Sequence, residues 1–197
     1  MSPLCCAVIL VLSAAIQQTP ATPDRNAAAD RTRDARLTQV RERAKARLEL
    51  ERSRFSPAEL EDIEARYRSA HELTVGEVMF LRPVGAEILT DLIRTYPTSN
   101  RAGCATLELA RHAKSPERER YLRQAITRYS DAWFETGVQV GALARGLLAM
   151  HYAGLGRFDE AERLAAELVR DYPGSIDDAG APLDELPDGL RLLRVRN

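Results

Sequence analysis

Apolar residues recur at three- and four-residue spacing along most of the chain, and no segment alternates as a strand would. From Arg31 to about Arg54, Leu37, Val40, Ala44 and Leu48 form one narrow stripe among charged residues, which predicts a mostly solvated helix. Phe55-Ser56-Pro57-Ala58-Glu59-Leu60 reads as a helix start. Ser56 is the expected cap, Pro57 fits the first helical position, Glu59 completes a capping box, and Phe55 and Leu60 stand where a hydrophobic staple closes. That helix runs through Ile63 and Tyr67 to about Glu72, and the next begins near Gly76 or Pro83 and ends at Tyr96-Pro97. Asn100 is the expected cap of a fourth helix, and Ser115-Pro116-Glu117 of a fifth. After the segment Tyr129 to Thr136, read as a loop, helices are predicted over about Gly137–Tyr152 and Phe158–Asp171, separated by Gly154-Leu155-Gly156.

The first residues differ in kind. Pro3 to Ile16 are apolar or small, and the first charged side chain is Asp24. The run is shorter than the roughly 20 apolar residues of a membrane span, and Ser13-Ala14-Ala15 offers small residues for cleavage. Residues 1–15 are therefore expected to be a signal peptide, and the mature chain is expected to be exported, periplasmic or extracellular, without stable membrane insertion. Residues 16–30 are read as a disordered linker, since Gln17 to Asp30 contain two prolines and no sizeable apolar group. Once the signal is removed Cys104 is the sole cysteine, read as a small buried thiol.

Three predicted helices end alike, at Ile93-Arg94-Thr95-Tyr96-Pro97, Ile126-Thr127-Arg128-Tyr129-Ser130 and Val169-Arg170-Asp171-Tyr172-Pro173. The tyrosines are 33 and then 43 residues apart, and the ten extra residues fall at the Trp133 loop. Two helices per unit at a period near 34 signify stacked helical hairpins. From Ala142 to Pro173 the chain resembles the tetratricopeptide repeat family. Leu148, Ala149, Tyr152, Gly156, Phe158, Ala161 and Pro173 fall on its Leu, small, Tyr, Gly, aromatic, Ala and Pro positions. The resemblance implies a short solenoid that binds a peptide or helix in a groove, lined in this unit near Leu143, Gly146, Met150 and Ala153. These positions lack the Asn and Lys pattern by which some family members clamp a C-terminal carboxylate, so that activity is not carried over. The stretch from Gly137 to Leu183 also looks like helical segments appended to exported bacterial thioredoxin-fold proteins, but it contains no CxxC.

Composition narrows the function further. Twenty-nine alanines and 6% aromatic residues favour helices. The 28 basic and 29 acidic residues nearly cancel, so no global field recruits nucleic acid. His71, His112 and His151 stand apart, without HExxH spacing, and no phosphate-loop or GxSxG motif is present. Gly137 and Gly141 suit close helix packing better than a nucleotide site. Asp177, Asp178, Asp184, Glu185 and Asp188 cluster near the C-terminus, with Asp184 placed to cap a helix.

The expected architecture is all-α: antiparallel helical hairpins stacked as a short solenoid resembling the tetratricopeptide repeat. A charged amphipathic helix over 31–55 precedes a repeat domain over 56–173, and residues 174–197 form a capping tail in which Leu183, Leu186, Leu190 and Leu193 seal the last unit. The expected function is an interaction module, a scaffold or adaptor for a protein or peptide partner, with no catalytic signature and no cofactor. Tyr129, Asp131, Trp133, Phe134 and Met150 are the candidate contacts, because aromatic residues anchor interfaces. The alternative for the loop is that Trp133 and Phe134 plug a gap between helical units. The alternative functions are a small-ligand or peptide binding protein with a groove beside Trp133, and a hydrolase with an unrecognised carboxylate site.

Overall fold

A computed structural model describes residues 23–72, 74–75 and 80–196. The expected signal peptide and the first residues of the expected linker lie outside them. The helices are α1 (Pro23–Arg52), α2 (Pro57–Glu72), α3 (Pro83–Thr95), α4 (Asn100–His112), α5 (Glu117–Arg128), α6 (Val140–Gly154), α7 (Phe158–Asp171) and α8 (Leu186–Arg196). The fold is all-helical, and successive helices pack side by side in a repeat-like order. A two-residue ladder joins β1 (Thr74–Val75) to β2 (Phe80–Leu81) between α2 and α3. Among the described residues no helix is long and apolar enough to cross a membrane.

The hairpins are α2/α3, α4/α5 and α6/α7. Helices α2, α4 and α6 are neighbours, while α3 packs on α4 and α5 on α6. The second helix of each hairpin ends on its tyrosine with nearly the same backbone, φ −125° at Tyr96, −129° at Tyr129 and −131° at Tyr172. Each tyrosine N–H donates to the carbonyl four residues back, at Leu92, Ala125 and Leu168. Two of the three phenols also reach the first helix of their own hairpin. Tyr96 donates to Asp62 Oδ2 at 2.7 Å, and Tyr172 accepts from Arg145 Nη1 at 2.9 Å. The shared sequence ending is therefore a helix stop tied to its hairpin.

The capping box forms as the sequence predicts. Ser56 N and Oγ both donate to Glu59 Oε2, at 2.8 and 2.7 Å, and Glu59 N returns to Ser56 Oγ at 3.3 Å. Phe55 sets its ring edge-on to Tyr96, 6.2 Å between centroids, which links this turn to the end of α3. Gly156 takes φ +74° in the α6–α7 turn, where a side chain is strained, and Ala161 is fully buried behind it.

Several expectations are corrected. Helix α1 begins at Pro23, inside the segment read as a linker: its alanines and charged residues suit a solvated helix although they supply no apolar stripe. Ser99, not Asn100, caps α4, accepting from Ala102 N at 3.0 Å. The Ser115-Pro116-Glu117 start carries no side-chain cap; Ser115 Oγ instead lies 3.4 Å from His151 Nε2. Asp184 does not cap a helix from Glu185. Leu183–Glu185 form a 3-10 turn and α8 starts at Leu186. Helix α8 packs on α6 and α7 with Leu190 fully buried, while Leu193 stays partly exposed.

Ala161 lies at a hairpin contact with no access to water. Ala161→Asp buries an uncompensated carboxylate there, expected to cost several kcal/mol. Circular dichroism should show a markedly lowered melting midpoint; an unchanged melt would refute the register of α6 on α7.

Candidate functional site

Helix α4 is the centre of the molecule: every residue from Asn100 to Ala110 is buried, polar ones included. The loop after α5 closes over it. Asn100 faces the backbone of Trp133 as a strand would, its Nδ2 donating to Trp133 O at 2.7 Å while its Oδ1 accepts from Trp133 N at 2.8 Å. Cys104 Sγ lies 3.5 Å from the same carbonyl, and complete burial pushes the thiol pKa up to about 12, so it is an inert packing group. Arg101 stacks on the Tyr67 ring and bonds both oxygens of Glu64, at 2.7 and 2.8 Å, and Glu135 at 2.6 Å. Arg111 stacks on Phe134 and bonds Asp178 through both oxygens, at 2.7 and 2.6 Å.

The ten-residue extension after Tyr129 is not an interruption, because it recurs after Tyr172. Trp133 bridges Gln139, and Ile176 bridges Pro182, 43 residues on in both cases. The hydrogen bonds Phe134 N to Val138 O and Val140 N to Ala132 O repeat as Asp177 N to Ala181 O and Leu183 N to Ser175 O. Gly137 and Gly180 fill the same place at φ +94° and +77°. The last two hairpins are thus each followed by the same folded loop, 43 residues apart, whereas α3 passes to α4 through a short turn without one.

Helix α1 lies along both loops. A Cβ on Gly137 would sit 2.7 Å from Val40 Cγ2, and one on Gly180 would sit 3.5 Å from Leu37 Cδ2. Val40 and Ala44 are fully buried beneath the helix. Arg33 Nη2 reaches Ala179 O at 3.4 Å, Arg36 approaches Asp184 at 3.9 Å, and Arg47 Nε approaches Asp131 at 3.4 Å. At the end of α1 the buried Glu51 accepts from Asn100 N at 2.6 Å, so its carboxylate meets the positive end of α4. Burial holds the Glu51 pKa above the ordinary carboxylate value, against the opposing pull of that hydrogen bond and of Arg47 and Arg101; Glu64 adds to the rise.

The predicted contact residues divide. Tyr129 and Trp133 are buried, Trp133 being 8% exposed, so they plug the gap between units rather than face a partner. Phe134 is half-buried under Arg111, and Asp131 is at the surface beside Arg47. Met150 is 46% exposed, away from this cluster, whereas Leu143, Gly146 and Ala153 are buried. Of the repeat positions, Leu148, Tyr152 and Ala161 are core, Phe158 packs against it, and Pro173 follows the α7 stop. Gly141 is a close approach, its absent Cβ leaving room for Ser130. The C-terminal acids serve the loop: Asp177 Oδ1 accepts from Ala179 N and Ala181 N, and Asp178 holds Arg111. Among the described residues no three His, Cys, Asp or Glu side chains gather as a metal-holding group. Comparison with known proteins finds no matching family model, curated protein or solved structure.

Sequence reasoning missed Asn100 and Glu51 as the two polar fasteners of this face, because their partners lie 33 and 49 residues away. Asn100→Ala strips two buried hydrogen bonds and is expected to cost about 2–4 kcal/mol in chemical denaturation. Glu51→Gln keeps an acceptor without the buried charge. A raised folded-state pKa means that Glu51 destabilises as pH rises through that value and not below the ordinary carboxylate range. The Gln variant should therefore match the wild type in acid and exceed its melting midpoint at neutral pH. A variant less stable at neutral pH would show that the ionised carboxylate is favourable there.

Proposed function

We propose that the chain is an exported interaction module, a scaffold or adaptor built of stacked hairpins that resemble the tetratricopeptide repeat. The observation that carries this reading is the docking of α1. The two folded loops and the α4 N-terminus make a face that holds a helix, using Gly137, whose missing Cβ admits Val40, and a backbone N–H that takes the Glu51 carboxylate. Helix-in-surface packing of this kind is a recurrent mode of recognition. Away from that face, Met150, Leu155 and Val169 leave apolar surface on the last hairpin, with Leu192 and Val195 on α8. The export half of the proposal rests on the apolar run Pro3–Ile16 and the small residues that offer cleavage after Ala15.

A small-ligand role is favoured less by Trp133, which is itself the filling of the gap, than by another cleft. That cleft, about 310 Å³, lies between α5 and α7 over α6 and is lined by Arg123, Ile126, Leu148, Tyr152, Leu164 and Glu167. Its polar end is internally paired: Arg123 donates to Tyr152 Oη at 2.6 Å and Tyr152 to Glu119 Oε1 at 2.7 Å.

A photo-crosslinking residue in place of Met150, Leu155 or Lys45, incorporated in the native cell, is expected to give a recurring protein adduct in the envelope or extracellular fraction. Absence of adducts at all three positions would overturn the interaction reading. Recovery of the chain solely from the cytosol, at full length, would overturn export.

A further inference from the structure

The docking of α1 is a better guide to the partner than any exposed patch. The helix is long, and outside one stripe its described side chains are exposed. Val40 and Ala44 are its only fully buried apolar groups among the described residues, with Leu37 and Leu48 half-covered. Its flanking contacts, Arg33 to Ala179 and Arg36 to Asp184, are long and solvated, the kind of pair that contributes little.

Two features of the docked helix are unfavourable. Arg47 Nε and Nη1 are buried without a hydrogen bond, although Asp131 stands in ion-pair range. Glu51 carries its carboxylate into a site that favours the neutral acid. Both penalties belong to α1 and disappear when it lifts off. The receiving face keeps its own structure meanwhile. Its loops are pinned by Asn100 and by their internal hydrogen bonds, and α2 is started independently by the Ser56–Glu59 capping box. The turn Ser53–Ser56 is the natural pivot.

We propose that α1 is a displaceable occupant of its own docking face, and that the partner replacing it is a helix of the same chemistry. Such a helix is rich in Arg and Glu, has small or branched apolar residues at the spacing of Leu37, Val40 and Ala44, and bears a hydrogen-bond acceptor that reaches Asn100 N. This rests on the interaction-module reading above and names its partner. The polarity of the face supports the choice: Asp131, Asp184 and the Ala179 carbonyl line its edge for cations, while the Asn100 N–H takes one acceptor. A partner with an apolar residue at the place of Arg47 escapes the buried orphan donors and binds more tightly. Exchange of α1 between two copies is opposed by the pivot. Straightening it would break the capping box and set Pro57 inside a continuous helix.

The probe is a labelled synthetic peptide of residues 33–52, added to the full chain and followed by fluorescence anisotropy. The wild-type chain should bind it weakly, since its face is occupied. A Val40→Asp full chain, whose own helix docks poorly, should bind it at least about ten-fold more tightly. An Arg47→Leu peptide should bind more tightly than the native one, and a Val40→Asp peptide should not bind. Equal affinity of the two chains, or binding indifferent to Val40→Asp in the peptide, would overturn the proposal. So would a wild-type dimer that the peptide dissociates, since the occupant would then be a second copy. Hydrogen exchange on the wild type decides the matter independently of any variant: α1 amides should exchange well before those of α4, and exchange of α1 only on global unfolding would refute displacement. Photo-crosslinks that persist when the peptide fails to bind would leave the interaction module standing and remove only the displaceable helix.

Discussion

A helix buried on every side must find partners for each polar group it carries, and α4 imposes that demand on everything around it. Ser99 takes one of its first amide donors and Glu51 another. Its buried arginine is answered by α2 and by the first loop, and Glu108 by Arg111. Each answer comes from a different element, so satisfying α4 fixes where α1, α2 and the loop lie. Small residues make this geometrically feasible: Gly103 meets Ala132 and Tyr129 closer than any Cβ would allow. Close approach and complete hydrogen bonding are thus one constraint, met together.

The parts legible in the sequence are those whose causes are local. The Ser56–Glu59 box, the tyrosine helix stops, the Gly156 turn and the stripe Leu37–Val40–Ala44 were readable because both partners, or one residue's backbone preference, fall within a single turn or helix. The recurrence of the folded loop was missed for a physical reason. The two loops share hydrogen bonds and one glycine, but their buried anchors are Trp133 and Ile176, and a large aromatic beside an aliphatic residue shows no kinship in sequence. The site was legible only as a region. Trp133 marks the right loop, yet its indole supports the face from beneath, and the groups that define that face, Asn100 and Glu51, look like an ordinary cap and an ordinary surface acid.

The charge distribution also becomes intelligible. Nine basic and six acidic residues within Pro23–Arg52 give a helix whose described side chains stand in water outside one stripe. The acids on the loops meet its arginines along one edge, and the Glu51 carboxylate, drawn inward, meets the start of another helix. Burying that one charge sets a pH dependence that surface pairs, screened by salt, would not.

The contact of α1 with successive loops has a metric consequence. It meets the first loop at Val40 and Arg41, and the second at Leu37 and Arg33. That step of some five residues advances about 8 Å along a helix, close to the spacing of packed helices. The helix therefore works as a ruler laid across the units, graduated by its own residues. Its axis continues to Pro23, beyond the second mark, so the ruler is longer than the two loops it measures.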